Sequence, residues 1–174
     1  GAVVMDTAAV KEIVATWAEA LLPAERYYVG LTPVLNPAYL HSTDSGLDGA
    51  HADLFKGGLI AISAPARTAS DAVKMAADLT RLLGAAPLFA DPLEMDGLMA
   101  ATHLLPQLLA AGLLNATLDQ PGWREGRKVA GRPYAEATGP IVHLGTSQGL
   151  AADVMLNREN IRRMLDSTLA ALIT

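Results

Sequence analysis

The chain has 174 residues, of which 51% are hydrophobic and 18% charged, with a formal net charge of −5. It is long enough to bury a core and too apolar to be a disordered linker, and its acidic balance excludes nucleic acid as the main partner, since phosphate neutralisation needs a basic face. The absence of cysteine excludes a disulfide scaffold and thiolate metal sites, while charge below the usual ~25% points to apolar surface covered by a second copy. No basic segment followed by a cleavable apolar run opens the sequence, so a cytoplasmic location is expected.

Val3-Val4-Met5 is a short apolar run ending at Asp6, and Val10, Ile13, Val14, Trp17 and Leu21 recur at helical spacing up to Pro23. This predicts a strand and then a helix. Tyr27 to Leu31 forms a second β-prone run closed by Thr32-Pro33, and Leu59 to Ile62 a third, closed by Ser63 and Pro65. Ser70-Asp71 is placed to cap a helix carrying Val73, Ala76, Ala77 and Leu83, with Gly84 as its stop; Pro87 to Ala90 supplies a fourth strand. Continuously apolar strands alternating with helices predict a parallel sheet covered on both faces. Its ligand-binding carboxyl edge would carry Asp6, Thr32, Ser63 and Asp91. No Gly-x-Gly-x-x-Gly follows any of these strands, so a dinucleotide phosphate cradle is missing from the sequence.

From Asp91 the character changes. Asp91-Pro92-Leu93-Glu94 combines a capping acid, a proline at the first helical position and a glutamate at the third. The following stretch, Gly97 to Leu118, holds no formal charge and is apolar all round, as in a helix buried in a bundle or crossing a bilayer. His103, Pro106, Gln107, Gly112 and Asn115, without flanking basic residues, favour the bundle, with a kink at Pro106 and no membrane. Residues 119–146 are rich in glycine and proline and predict a long connection with short pieces of structure. A last helix from about Ser147 to Leu172 carries a packing seam of Leu150, Val154, Ile161, Leu165 and Leu172.

Four groups of residues have chemical potential. His41, Asp44, Asp48 and His51 offer nitrogen and oxygen ligands, yet their spacing matches no closed metal motif and a polar loop explains them, so no metal is expected. His103 shares a helix face with Gln107 and suits either a substrate carboxylate or a core hydrogen bond. Arg124, Arg127, Lys128 and Arg132 have the chemistry of an anion clamp, against the commoner alternative of a solvated surface. No Ser-His-Asp order, nucleophile elbow or P-loop is traceable.

Asp6-Thr7-Ala8-Ala9-Val10-Lys11, Tyr28-Val29-Gly30-Leu31-Thr32-Pro33, and Ser45-Gly46 with Ala50, Asp53-Leu54-Phe55 and Gly57 follow one another in a recognisable order. Asp91-Pro92, Thr102-His103-Leu104, Pro106 to Ala110, and Gly131 to Tyr134 with Thr138 continue it. In this register the chain resembles the prephenate/arogenate dehydrogenase family over nearly its whole length. The resemblance implies an α/β portion followed by an all-α one. Residues 1–90 would be the carboxy-terminal portion of a Rossmann-like domain whose glycine-rich half is absent. Residues 91–174 would be a helical dimerisation and substrate domain of the 6-phosphogluconate dehydrogenase type. It further implies NAD- or NADP-dependent oxidative decarboxylation on the route to tyrosine by a homodimer interlocked through its helices. Asp6 and Lys11 would lie at the edge of the cofactor cleft, Thr32 would occupy the catalytic position, and His103, Gln107 and Thr138 would bind substrate.

Three positions depart from the family pattern. Ala9 stands in the serine slot of Asp-x-x-Ser-x-Lys. Thr32 stands where Gly-x-His-Pro has the histidine that takes the substrate's hydroxyl proton, and an unassisted hydroxyl is no general base near neutral pH. Thr138-Gly139-Pro140-Ile141 replaces Thr-Arg-Ile, so the arginine that grips a substrate carboxylate is missing. The sequence thus predicts a prephenate dehydrogenase-like oxidoreductase with altered or lost chemistry, binding no dinucleotide tightly by this chain alone. The alternatives are a non-catalytic dimerisation or ligand-sensing module of the same descent, or a dehydrogenase for another small acid with His41 or His51 as base.

Overall fold

The computed structural model describes residues 1–174 apart from Thr43, Ser45 and 143–146. Ser45 of the family-like Ser45-Gly46 pair and the end of the expected 119–146 connection therefore lie outside the described residues. The chain forms two compact units, Gly1–Asp96 and Gly97–Thr174.

The first unit is built on strands β1 (Val3–Asp6), β2 (Tyr27–Val34), β3 (Leu59–Ser63) and β4 (Ala86–Ala90), hydrogen-bonded in that order. β1 and β2 are parallel, as are β3 and β4, which agrees with the parallel expectation. The central pair β2–β3 is antiparallel and corrects it. The cause lies in the connection: between Val34 and Leu59 the described residues form only one short 3₁₀ turn, Pro37–Tyr39, whereas a parallel neighbour requires a crossover, usually a helix. β2 also runs through Thr32-Pro33 instead of stopping there. β1 accompanies it only to Gly30, so beyond that point one side of β2 is an open edge that tolerates a residue without an N–H. Gly30 is where the two pairings meet, opposite Asp6 on one side and Ser63 on the other.

Helices α1 (Glu12–Leu21) and α2 (Ser70–Leu82) accompany the sheet. Val29, Leu31, Ile60 and Ile62 pack with Ala72, Ala76 and Ala77 of α2, whose short side chains let helix and sheet approach closely. α2 starts at Ser70 with Ala69 as its cap residue and no side-chain cap, so the expected Ser70-Asp71 cap does not form. Its stop is as read: Gly84 follows the helix at φ +78°, a left-handed conformation that a residue with a Cβ adopts only at a cost.

Asp91 Oδ1 accepts the Glu94 N–H at 2.8 Å and starts a helix of three parts: α3 (Pro92–Met99), a π turn (Ala100–Leu104) and α4 (Leu105–Leu118). The π turn sits just ahead of Pro106, whose ring would otherwise press on the carbonyl of Thr102; the widened turn is the local answer to the expected kink. By length and composition alone this helix could cross a membrane. In the second unit the expected long connection is instead largely helical, with α5 (Trp123–Val129) and α6 (Arg132–Val142). Gly122 at φ +89° provides the reversal, and the Tyr134 ring lies tilted at 44° and 5.5 Å from that of Trp123 while its hydroxyl lies 2.6 Å from Thr117 Oγ1, tying α6 to α4.

The expected single last helix is two, α7 (Ser147–Leu156) and α8 (Arg158–Ile173). They are divided at buried Asn157, whose backbone leaves the helical region at φ −113°, ψ 24° and whose side-chain oxygen accepts Asn160 Nδ2 at 2.8 Å. Ala100, Leu104 and Ile161 form the core here, with Leu150 and Val154 packed against them. The outer end of the expected seam is uncovered: Leu165 is 39% and Leu172 77% exposed.

Candidate active site

The alternation of β2 places Tyr28, Gly30 and Thr32 on one face, opposite the apolar face of Val29 and Leu31. Lys11, immediately before α1, reaches over this polar face and is completely buried. Its Nζ donates to Asp6 Oδ1 at 3.1 Å and to the Leu31 carbonyl at 2.8 Å. Burial pushes its pKa down, and the charges of Asp6 and Asp96 oppose that shift. Asp6 Oδ1 also accepts the Ala8 N–H at 2.7 Å, which fixes the turn leaving β1. Asp96 accepts the backbone N–H groups of Lys11 and Glu12; burial raises its pKa, while these amides and the Lys11 ammonium hold it down.

Gly30 is required by this crowding. A Cβ there would lie 2.9 Å from Lys11 Cδ, 3.0 Å from the Tyr28 hydroxyl and 3.1 Å from Ser63 Oγ. Burial, and secondarily the neighbouring Asp6 carboxylate, raise the Tyr28 pKa. Asp6 Oδ2, Tyr28 Oη, Thr32 Oγ1 and Ser63 Oγ are all buried and, among the described residues, make no hydrogen bond of good geometry, although the Tyr28 hydroxyl faces the Asp6 carboxylate. Two of these atoms, Tyr28 Oη and Ser63 Oγ, crowd Gly30, and such a concentration is unusual because buried polar atoms are normally satisfied.

Of the residues singled out in the sequence, the structure thus brings Asp6, Lys11 and Thr32 into one cluster. It adds Tyr28, Ser63 and Asp96 to them. In the sequence Ser63 is visible only as an edge position and Tyr28 only as the start of the family-like run Tyr28 to Pro33, and nothing local signals Asp96, 85 residues from Lys11. The other three candidates lie in the second unit. His103 is exposed on the π turn, and Gln107 Nε2 donates to the His103 carbonyl at 3.0 Å, so its amide is engaged within its own helix. Thr138 is buried on α6 and donates to the Tyr134 carbonyl at 2.8 Å. Asp153 of α7 is a further residue the sequence did not mark: burial raises its pKa and the nearby His103 lowers it. A Cβ on Gly139 would meet nothing within 4 Å, so space is open at the position where the family pattern has its arginine.

His51 is stacked on Tyr39 at 4.6 Å, and the Tyr39 hydroxyl donates to Asp53 Oδ1 at 2.7 Å. Among the described residues no group of three or more histidine and acidic side chains is arranged to hold a metal. In the basic group, Lys128 pairs with Glu125 and Arg132 with Glu136, each at 2.7 Å on an exposed helix surface.

A four-stranded sheet with a buried lysine over one face, followed by a helical unit, is a partial Rossmann-like fold joined to a helical one. No protein-family profile matches the chain, and no curated protein matches it in sequence. Among solved structures it shares its fold with prephenate and arogenate dehydrogenases. Arogenate dehydrogenase from Synechocystis matches with a TM-score of 0.77 at 19% identity over 98% of this chain and 59% of that one. Prephenate dehydrogenase from A. aeolicus, in complex with hydroxyphenyl propionate and NAD+, matches with a TM-score of 0.83 at 17% identity over 98% of this chain and 57% of that one. Another structure of the Aquifex aeolicus prephenate dehydrogenase gives a TM-score of 0.76 at 16% identity, with 98% and 57% covered. The chain spans between half and three fifths of the length of these structures.

Proposed function

We propose that the chain is part of a prephenate dehydrogenase-like oxidoreductase, using NAD or NADP in its complete form, in which the family's ordinary reaction is altered or lost. The observation that carries this reading is Thr32: it stands at the family's histidine position, buried beside a lysine-carboxylate pair, with a hydroxyl that hydrogen-bonds to no base among the described residues. Lys11 does not replace the histidine, because its ammonium is buried and committed to Asp6 and the Leu31 carbonyl. A proton acceptor must reach the substrate, and neither group meets that condition.

The residues present do not fit a whole dinucleotide. No glycine-rich turn follows a strand to cradle a pyrophosphate, and no step through the cofactor is derived for this chain. Asp6 and Lys11 remain the candidates for the edge of a cofactor cleft. His103, Gln107 and Thr138 remain those for a small-molecule carboxylate, for which glycine at 139 supplies no guanidinium clamp. A homodimer through the helical unit belongs to the same reading and is supported by exposed Leu165, Leu169, Leu172 and Ile173 on α8. A cytoplasmic location is part of it too. Steady-state reduction of NAD+ and NADP+ by the whole encoded protein, with prephenate and arogenate in turn, tests the proposal. Turnover of either at an ordinary enzymatic rate, roughly 1–10³ s⁻¹, overturns it.

A further inference from the structure

The first unit contains a cavity of about 320 Å³, walled by the last turns of α1, the Pro23–Arg26 turn, the start of β2 and the Pro65–Thr68 loop. That volume is at the lower end of small-molecule pockets, roughly 300–1,000 Å³. Its apolar wall comes from Ala18, Leu22 and Pro65. Two arginines, Arg26 and Arg67, are among its lining residues. Arg67 is bound to Glu19 at 2.7 Å, which engages one of its five N–H donors, and Arg26 forms no ion pair among the described residues. The two arginines and one glutamate leave a single uncompensated positive charge in a chamber whose lining is otherwise mixed, with Tyr27, Tyr28 and Thr68 beside the apolar wall.

We propose that this cavity binds a small monocarboxylate with a flat or compact apolar body. The body would lie against Ala18, Leu22 and Pro65, and the carboxylate would be held by Arg26 and the free edge of Arg67. One net positive charge suits a monoanion better than a phosphate, which brings about −2 near neutral pH. The site is separate from the Lys11 cluster and does not depend on dehydrogenase chemistry. Tyr28 lines its wall, however, and carries its hydroxyl to the Asp6 side of the sheet, so occupancy would be felt at that cluster.

The test is a titration of the 174-residue chain with 2-naphthoate, followed by amide NMR, with uncharged 2-naphthamide as control. Shifts at the amides of Ala18, Leu22, Tyr27 and Thr68 are expected, with about tenfold weaker binding in each of Arg26→Met and Arg67→Met, which lose a charge-assisted bond and keep an apolar stem. Both arginines are at the surface, and an exposed ion pair such as Arg67–Glu19 contributes little to folding, so the variants remain folded. Absence of shifts at those amides, equal affinity in the variants, or equal binding of the amide would each overturn the proposal.

Discussion

Asp96 closes the first turn of α1 through the backbone N–H of Lys11, from 85 residues along the chain, and accepts that of Glu12 at 3.1 Å with its other oxygen. It does the work normally given to a side chain at the helix start, which here is Lys11 and makes no such bond. Replacing Asp96 by alanine is expected to cost about 1–2 kcal/mol, the usual value of a lost cap. Because burial raises its pKa, the stability linked to its protonated form is complete below the ordinary 3.8 and is lost as pH rises through the raised value. In urea denaturation, the stability of the native protein relative to Asp96→Asn should therefore fall as pH climbs out of the acid range. A flat or rising difference would contradict this.

Lys11 titrates with the opposite sign. Its pKa lies below the ordinary 10.5, so its stabilising share is complete above 10.5 and is lost as pH falls through the lowered value. Lys11→Met should destabilise the protein by about 2–3 kcal/mol. That is less than the ~3–5 of a fully buried broken pair, since Asp6 keeps 24% of its side chain exposed. The native protein should gain stability over this variant as pH rises toward 10.5 and gain nothing further above it, as read by denaturation in alkaline buffers.

The hydroxyls of Thr32 and Ser63 carry a desolvation cost with no bond to offset it. Thr32→Val keeps the volume and removes the oxygen, and should leave stability unchanged or raise it by up to about 1 kcal/mol; Ser63→Ala should behave alike. Thermal denaturation decides: a clear loss in Thr32→Val would mean that its hydroxyl has a bonded partner after all.

Gly30→Ala should destabilise by about 1–3 kcal/mol, the usual cost of overpacking. The new methyl would lie 2.9 Å from Lys11 Cδ, and that side chain is anchored by its ammonium and by its backbone N–H. Combining Gly30→Ala with Lys11→Met, whose side chain is unanchored, should recover part of that loss. A purely additive double variant would show that the two sites do not touch.

Strands were legible in the sequence where apolar runs were bounded by turn residues, as for Leu59–Ser63, and the stop of α2 was legible at Gly84 because its left-handed φ uses glycine's freedom. The antiparallel meeting of β2 and β3 was not, since a continuously apolar strand reads alike in either direction. The division at Asn157 was hidden because the spacing of Leu150, Val154 and Ile161 persists across it. In the site, Thr32, Asp6 and Lys11 stood out by their order along the chain. Asp96 did not, because capping at a distance leaves no pattern near either residue.

The account rests on Thr32 having no part in proton transfer. The most direct measurement is a steady-state assay of the whole encoded protein and its Thr32→Val variant, with prephenate and arogenate and either nicotinamide cofactor. The account predicts no cofactor reduction above background with either substrate, in both proteins alike. Ordinary turnover by the native protein, abolished in Thr32→Val, would contradict it and make Thr32 the proton acceptor.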